Sequence, residues 1–134
     1  MILNENEAKN LLTKVLSNSR ADSAIATLNG SNLYNIRFAR NSLSTNGFTD
    51  GLSVSITSNI GRKSGSVTTN RFDDASIKDD VARVEEIARL SPENKEFMPP
   101  LGPQTYSKGV NYSENTAGMS SGDRTAQVSY VIEQ

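Results

Sequence analysis

The chain has 134 residues, enough for one domain of ordinary size with a buried core. Fourteen Lys and Arg stand against fifteen Asp and Glu, a balance that excludes the electrostatic footprint of a nucleic-acid binder or an anionic-membrane reader. Cys and His are both absent, which removes disulfides, thiolate and imidazole zinc sites, Cys and His nucleophiles and every Ser–His–Asp triad, while a carboxylate-only site for magnesium or calcium stays open.

Apolar residues make up 35% of the chain, and Ser, Thr and Asn together fill 42 positions. Disorder would pair that low apolar content with a high net charge, and the net charge here is only −1. The opening Met1-Ile2-Leu3-Asn4-Glu5 has neither a basic flank nor a long apolar run, so no signal peptide is expected. No stretch approaches the length of a membrane span. The expectation is a soluble, cytoplasmic protein.

The first element is a helix: Ala8, Leu11, Leu12, Val15 and Leu16 recur on one helical face. Asn4 serves as N-cap with Glu7 completing a capping box, and Ser17-Asn18-Ser19-Arg20 reads as the exit. From Ala21 to Thr69 the period changes to two. Leu52, Val54 and Ile56 alternate with Ser53, Ser55 and Thr57, and Tyr34, Ile36 and Phe38 with Asn35, Arg37 and Ala39. Turn signals at Asn29-Gly30, Asn46-Gly47, Asp50-Gly51 and Gly61 divide the region into strands near 22–28, 32–40, 42–48, 51–59 and 62–69. Short connections make an antiparallel meander the simplest topology.

A second helix carries the stripe Ile77, Val81, Val84, Ile87 and Ala88, capped by Asp73 or Asp74. Asp79–Arg83 and Glu85–Arg89 are acid-first pairs four residues apart, the pattern of an exposed outer face. Pro92 ends this helix. All four prolines fall between about 92 and 118, around Pro99-Pro100-Leu101-Gly102-Pro103, and predict an extended connector. After Ser120-Ser121, the residues Val128, Val131 and Ile132 begin a third helical stripe. It reaches Gln134 without an exit signal, as an element cut mid-course would. The fold class is α+β: an N-terminal helix, an antiparallel meander of four to five strands, a second helix on the same sheet face, a Pro-rich connector and the start of a third helix. In domain terms, 1–91 is a helix–sheet–helix domain, 92–118 the connector and 119–134 the first helix of a following unit. The apolar sheet face should carry Tyr34, Ile36, Phe38, Leu52, Val54 and Ile56, leaving Ser53, Ser55 and Thr57 open to solvent.

Few residue groups suggest chemistry. Asp73-Asp74 and Asp79-Asp80 lack the ligand number and glycine turn of a calcium loop, and read as a cap with first-turn acids. Gly61-Arg62-Lys63-Ser64-Gly65 is no Walker loop, because Arg62 occupies the required glycine position and a strand follows. Lys63 and Ser64 cannot act as a dyad, since strand neighbours point to opposite faces. Thr49-Asp50-Gly51 has the wrong order for an aspartic-protease triplet. Arg37, Arg40 and Asn41 are the candidate cleft or interface residues, with Arg37 on the face opposite Phe38, beside Asn35.

The run Arg37-Phe38-Ala39-Arg40-Asn41, then Gly61 to Gly65, then Phe72-Asp73-Asp74-Ala75-Ser76, is followed by two more pieces. These are Ile87-Ala88-Arg89-Leu90-Ser91-Pro92-Glu93 and Glu96-Phe97-Met98-Pro99-Pro100-Leu101-Gly102-Pro103-Gln104-Thr105-Tyr106. This ordered set covers nearly the whole chain and resembles the N-terminal domain of the TldD/PmbA proteins. That family comprises predicted zinc-dependent proteases and inactivated homologues, historically called modulators of DNA gyrase. The resemblance is nearer to the PmbA-like or TldD-related branch, whose members commonly lack the zinc ligands.

The family's zinc site is a HExxxH helix plus a further ligand in the C-terminal part of a much longer chain. Nothing here matches that motif, so no catalytic and no metal residue carries over. The resemblance implies an N-terminal domain, inactive alone, that helps form a peptide-binding cleft and subunit contacts for limited proteolysis. It implies zinc only in the full-length protein or its partner. The implied partners are the chain's own C-terminal domain, a homologous subunit in a homo- or heterodimer, and a peptide substrate, with no direct nucleic acid and no membrane. A second reading is a stand-alone module that binds a peptide or glycan on the Ser/Thr/Asn-rich sheet face.

Overall fold

The computed structural model describes residues 2–107 and 109–133, so Met1, Lys108 in the Pro-rich connector and the chain end at Gln134 lie outside the described residues. The order is α1 (Glu5–Ser17), β1 (Ser23–Ala39), β2 (Ser42–Ile60), β3 (Lys63–Thr69), α2 (Asp74–Leu90), α3 (Glu114–Ala117) and α4 (Ser121–Ile132). The strands form one sheet in the order β1-β2-β3. The α+β class and the antiparallel topology are as expected.

The expected strand segments are all extended, but they fuse into three long strands. Asn29-Gly30 and Asp50-Gly51 lie within β1 and β2 and do not reverse the chain. Glycine permits a turn without requiring one, and here the sheet ladder prevails. The true reversals are two-residue connections. Gly61-Arg62 joins β2 to β3, with Gly61 at φ 58°, the left-handed region that a two-residue hairpin turn needs and that glycine enters freely. Arg40-Asn41 joins β1 to β2.

The chain divides into two compact units: residues up to Asn32 with Asp50–Gly102, and Leu33–Thr49 with the residues from Pro103 onward. The first unit holds the core of Val15, Val54, Ile56, Ile77, Val81 and Val84, against which Leu11, Ala26, Leu28, Val67 and Phe72 pack. The register Val54↔Thr69, Ile56↔Val67 and Ser58↔Gly65 places those residues on the helix-covered face. Ser55 and Thr57 point the other way and pair with β3 hydroxyls, Ser55 with Thr68 at 2.9 Å and Thr57 with Ser66 at 3.3 Å. The Ser/Thr face therefore stays out of the core, as the alternation predicts, with Ser53, Ser55 and Thr57 half-buried and hydroxyls of β2 and β3 bonded to one another.

Local chemistry accounts for the helix ends. Asn4 and Glu7 form the expected capping box on α1. Asp73, not Asp74, caps α2 by accepting from the Ser76 N–H. The stripe Ile77, Val81, Val84 and Ala88 is buried as expected, whereas Ile87 remains partly exposed. β3 comes unusually close to α2 at Gly65, where an added Cβ would lie 2.6 Å from the Ala88 nitrogen.

Two expectations change. Glu85 is not on the outer face: it is buried and accepts from the Arg20 N–H at 2.6 Å, the Ser19 hydroxyl at 3.2 Å and Arg89 at 3.2 Å. Four-residue spacing fixes the pairing with Arg89 but not which way the pair faces. Tyr34 and Phe38 lie outside the main core, in the second unit, with about half their surface exposed. In that unit the connector is interrupted by the short α3, and α4 is capped by Ser120 and Asp123.

Candidate functional site

The sequence-predicted residues Arg37, Arg40 and Asn41 sit at the tip of the β1–β2 hairpin, and all three are exposed. Arg37 is on β1, and its carbonyl accepts from the Ser44 hydroxyl at 3.3 Å across the hairpin. Arg40 and Asn41 are the turn itself. Both are left-handed, at φ 51° and 53°, a conformation that asparagine tolerates and arginine rarely adopts. The backbone thus holds Arg40 outward on a tight turn at a steric cost.

Behind this tip lies an aromatic cluster that the strand pattern alone does not reveal. Tyr34 and Phe48 stack at a centroid separation of 4.6 Å and an interplanar angle of 29°. Arg124, in the first turn of α4, places its Cζ 4.7 Å from the centre of the Tyr34 ring. Its Nη1 donates to the Met119 carbonyl at 2.7 Å, and its Nε is buried without a hydrogen-bond partner among the described residues. The capping box that starts α4 fixes where Arg124 emerges. The Ser120 hydroxyl and N–H both donate to the Asp123 carboxylate, holding its pKa below the ordinary aspartate value. Ile36 and Phe38 face Met119, Val128 and Val131 across a groove of about 400 Å³. The Ser-x-x-Asp spacing before Arg124 was the one signal in the sequence that could have located this residue.

The basic hairpin Gly61–Gly65 is structural. Arg62 donates to the Lys95 carbonyl, Asn94 N–H donates back to the Arg62 carbonyl at 2.9 Å, and Lys63 donates to the Arg89 carbonyl at 3.1 Å. Ser64 bonds Asn59 at 2.7 Å, and Asn59 reaches Ser23 on β1 at 3.0 Å. Asp22 accepts from the Gly61 N–H at 2.7 Å. These bonds tether the Pro-rich segment and the end of α2 to the β2–β3 turn, which is why cations gather there.

No family model matches the sequence, and no curated protein sequence matches it. Solved structures do. TldE from Thermococcus kodakarensis superposes with a TM-score of 0.74 at 13% identity, over 92% of this chain and 27% of that one. A Bacteroides thetaiotaomicron protein designated a candidate modulator of DNA gyrase superposes with a TM-score of 0.72 at 17% identity, over 94% of this chain and 30% of that one. The chain has a TldD/TldE/PmbA-type fold. It spans less than a third of the length of either of these neighbours.

The residues of this chain do not fit a zinc ion. The chain has no His and no Cys, and no three carboxylates among the described residues converge on a common point. No helix among the described residues is long and apolar enough to cross a membrane.

Proposed function

We propose that this TldE-like chain is the non-catalytic N-terminal domain of a TldD/PmbA-family metallopeptidase or of its inactive partner subunit, on the PmbA-like branch. In this reading it acts in the cytoplasm, walling a peptide-binding cleft and making subunit contacts for limited proteolysis. Its partners are the C-terminal domain of its own chain, a homologous subunit and the peptide. Zinc belongs to the rest of the full-length protein or to the partner.

The observation that carries this reading is the fold match over more than nine-tenths of the chain to proteins over three times as long. The hairpin supports it. Leu33, Tyr34, Phe38, Leu43 and Phe48 expose between 41% and 59% of their surface, an apolar concentration suited to contact with another polypeptide. Arg37, Arg40 and Asn41 rim it as polar residues do at an interface.

The test is charge reversal at the tip. In the full-length assembly, Arg37→Glu with Arg40→Glu should reduce cleavage of an unstructured reporter peptide, or subunit association, at least tenfold. The isolated 134-residue chain should cleave nothing, with or without added zinc. Unchanged cleavage and association in the double variant would refute the interface assignment. Chelator-sensitive cleavage by the isolated chain would refute the non-catalytic reading.

A further inference from the structure

We propose that the groove between the β1–β2 hairpin and α4 binds the C-terminal residue of an apolar peptide, with Arg124 receiving its α-carboxylate. This rests on the peptide-binding reading above and names a subsite within it. The groove, about 400 Å³, has the volume of a pocket for one small ligand group. Its walls are mostly apolar, from Ile36, Phe38, Met119, Val128 and Val131, with Gln127 the one neutral polar residue and Arg124 the one charged residue lining it among the described residues.

The guanidinium is held from two sides. The Met119 carbonyl engages Nη1, and the Tyr34 ring lies 4.7 Å from Cζ. Nε is dry and donates to nothing among the described residues. A cationic donor without an acceptor between apolar walls is unfavourable until an anion arrives. With Nη1 committed, the Nε–Nη2 edge matches the two oxygens of a single carboxylate. Asp123 bonds Ser120 through Oδ2 and attracts Arg124 by charge, but it makes no hydrogen bond to Nε.

A chain terminus fits these walls better than an internal acidic residue. An internal residue brings peptide groups on both sides, more hydrogen-bonding groups than Gln127, the one neutral polar side chain of the lining, can satisfy. A C-terminal residue carries its charge and its side chain on one Cα, so the carboxylate meets Arg124 while the side chain lies against Phe38 and Val128.

The test is a fluorescence-anisotropy titration of the 134-residue chain with an N-terminally labelled hexapeptide ending in Leu. The peptide is used as the free acid, as its C-terminal amide, and as an amide with one internal Asp. The free acid should bind at least tenfold more tightly than either amide, and Arg124→Gln should bring it to their level. Arg124→Lys, which keeps the charge without the fork, should lose most of the preference. Equal binding of acid and amide, equal binding of the internal-Asp peptide, or no binding of any peptide overturns the proposal. The acid–amide comparison needs no variant, so a poorly folding Arg124→Gln does not blunt it. If the tip reversals abolish cleavage in the full-length assembly while acid and amide bind alike, the subsite fails and the domain reading stands. Chelator-sensitive cleavage by the isolated chain overturns the domain reading whatever the titration shows.

Discussion

Glu85 shows how one buried carboxylate can organise two segments of chain. Burial opposes its charge, but the Arg20 N–H, the Ser19 hydroxyl and Arg89 together outweigh burial and hold its pKa below the ordinary glutamate value of 4.5. A depressed folded pKa contributes stability that is complete above the unfolded value and is lost as pH falls through the folded one. Unfolding by urea should therefore show a midpoint that drops below about pH 4.5, with a shallower drop in Glu85→Gln, which should also lose about 1–3 kcal/mol at pH 7. Gly65 is the second residue whose role is set by a neighbour. A methyl group there would press on α2 backbone, which cannot yield as a side chain can, so Gly65→Ala should cost about 1–3 kcal/mol by the same denaturation measurement.

Among the elements, the β1–β2 hairpin carries the clearest conflict between local preference and position. A two-residue turn with both residues left-handed favours Asn and Gly, yet Arg occupies its first place. Arg40→Asn should relieve up to about 1 kcal/mol of backbone strain and raise the melting temperature. Under the proposed function it should at the same time weaken assembly or cleavage, so opposite signs in the two measurements are the expected result. α4 depends instead on its start. Ser120→Ala removes the side-chain half of the capping box, leaving only the backbone N–H bond to Asp123, and should cost the helix about 1 kcal/mol, seen as faster amide exchange across Arg124–Val128 with little change in α2.

For the molecule as a whole, burial is very uneven. Every residue buried in the described chain, apolar or polar, belongs to the unit containing α1, β3 and α2, and none to the unit containing α4. Local stability follows buried contact, so amide exchange should be slow in Val54–Ile56 and Val81–Ala88 and fast in Leu33–Thr49 and throughout 109–133. Limited proteolysis should first cut between 98 and 112, where Met98, Leu101, Tyr106 and Val110 are more than four-fifths exposed. Binding of the proposed partner should slow exchange in the hairpin and α4 while leaving the first unit unchanged.

Periodicity was sufficient for the helices and for the polarity of the sheet faces. Leu11 and Val15 in one helix, Ile77, Val81, Val84 and Ala88 in the other, and Val54 and Ile56 against Ser55 and Thr57 occupy the faces their spacing predicts, because a helix or a strand presents side chains at a fixed angle per residue. The α1 capping box and the cap on α2 were legible for a similar reason, since a cap involves residues only three apart. Other features depended on residues distant in sequence. Asn29-Gly30 and Asp50-Gly51 continue as strand because pairing along β1 and β2 outweighs a local turn preference. Glu85 faces inward because Ser19 and Arg20 return to meet it, and Arg62 and Lys63 serve as tethers because the segment after α2 passes beside them. Arg37, Arg40 and Asn41 could be named from their strand, but the aromatic stack and Arg124 behind the hairpin could not. Tyr34, Phe48 and Arg124 meet only when an antiparallel reversal and a helix some ninety residues downstream come together, and no local period encodes that meeting.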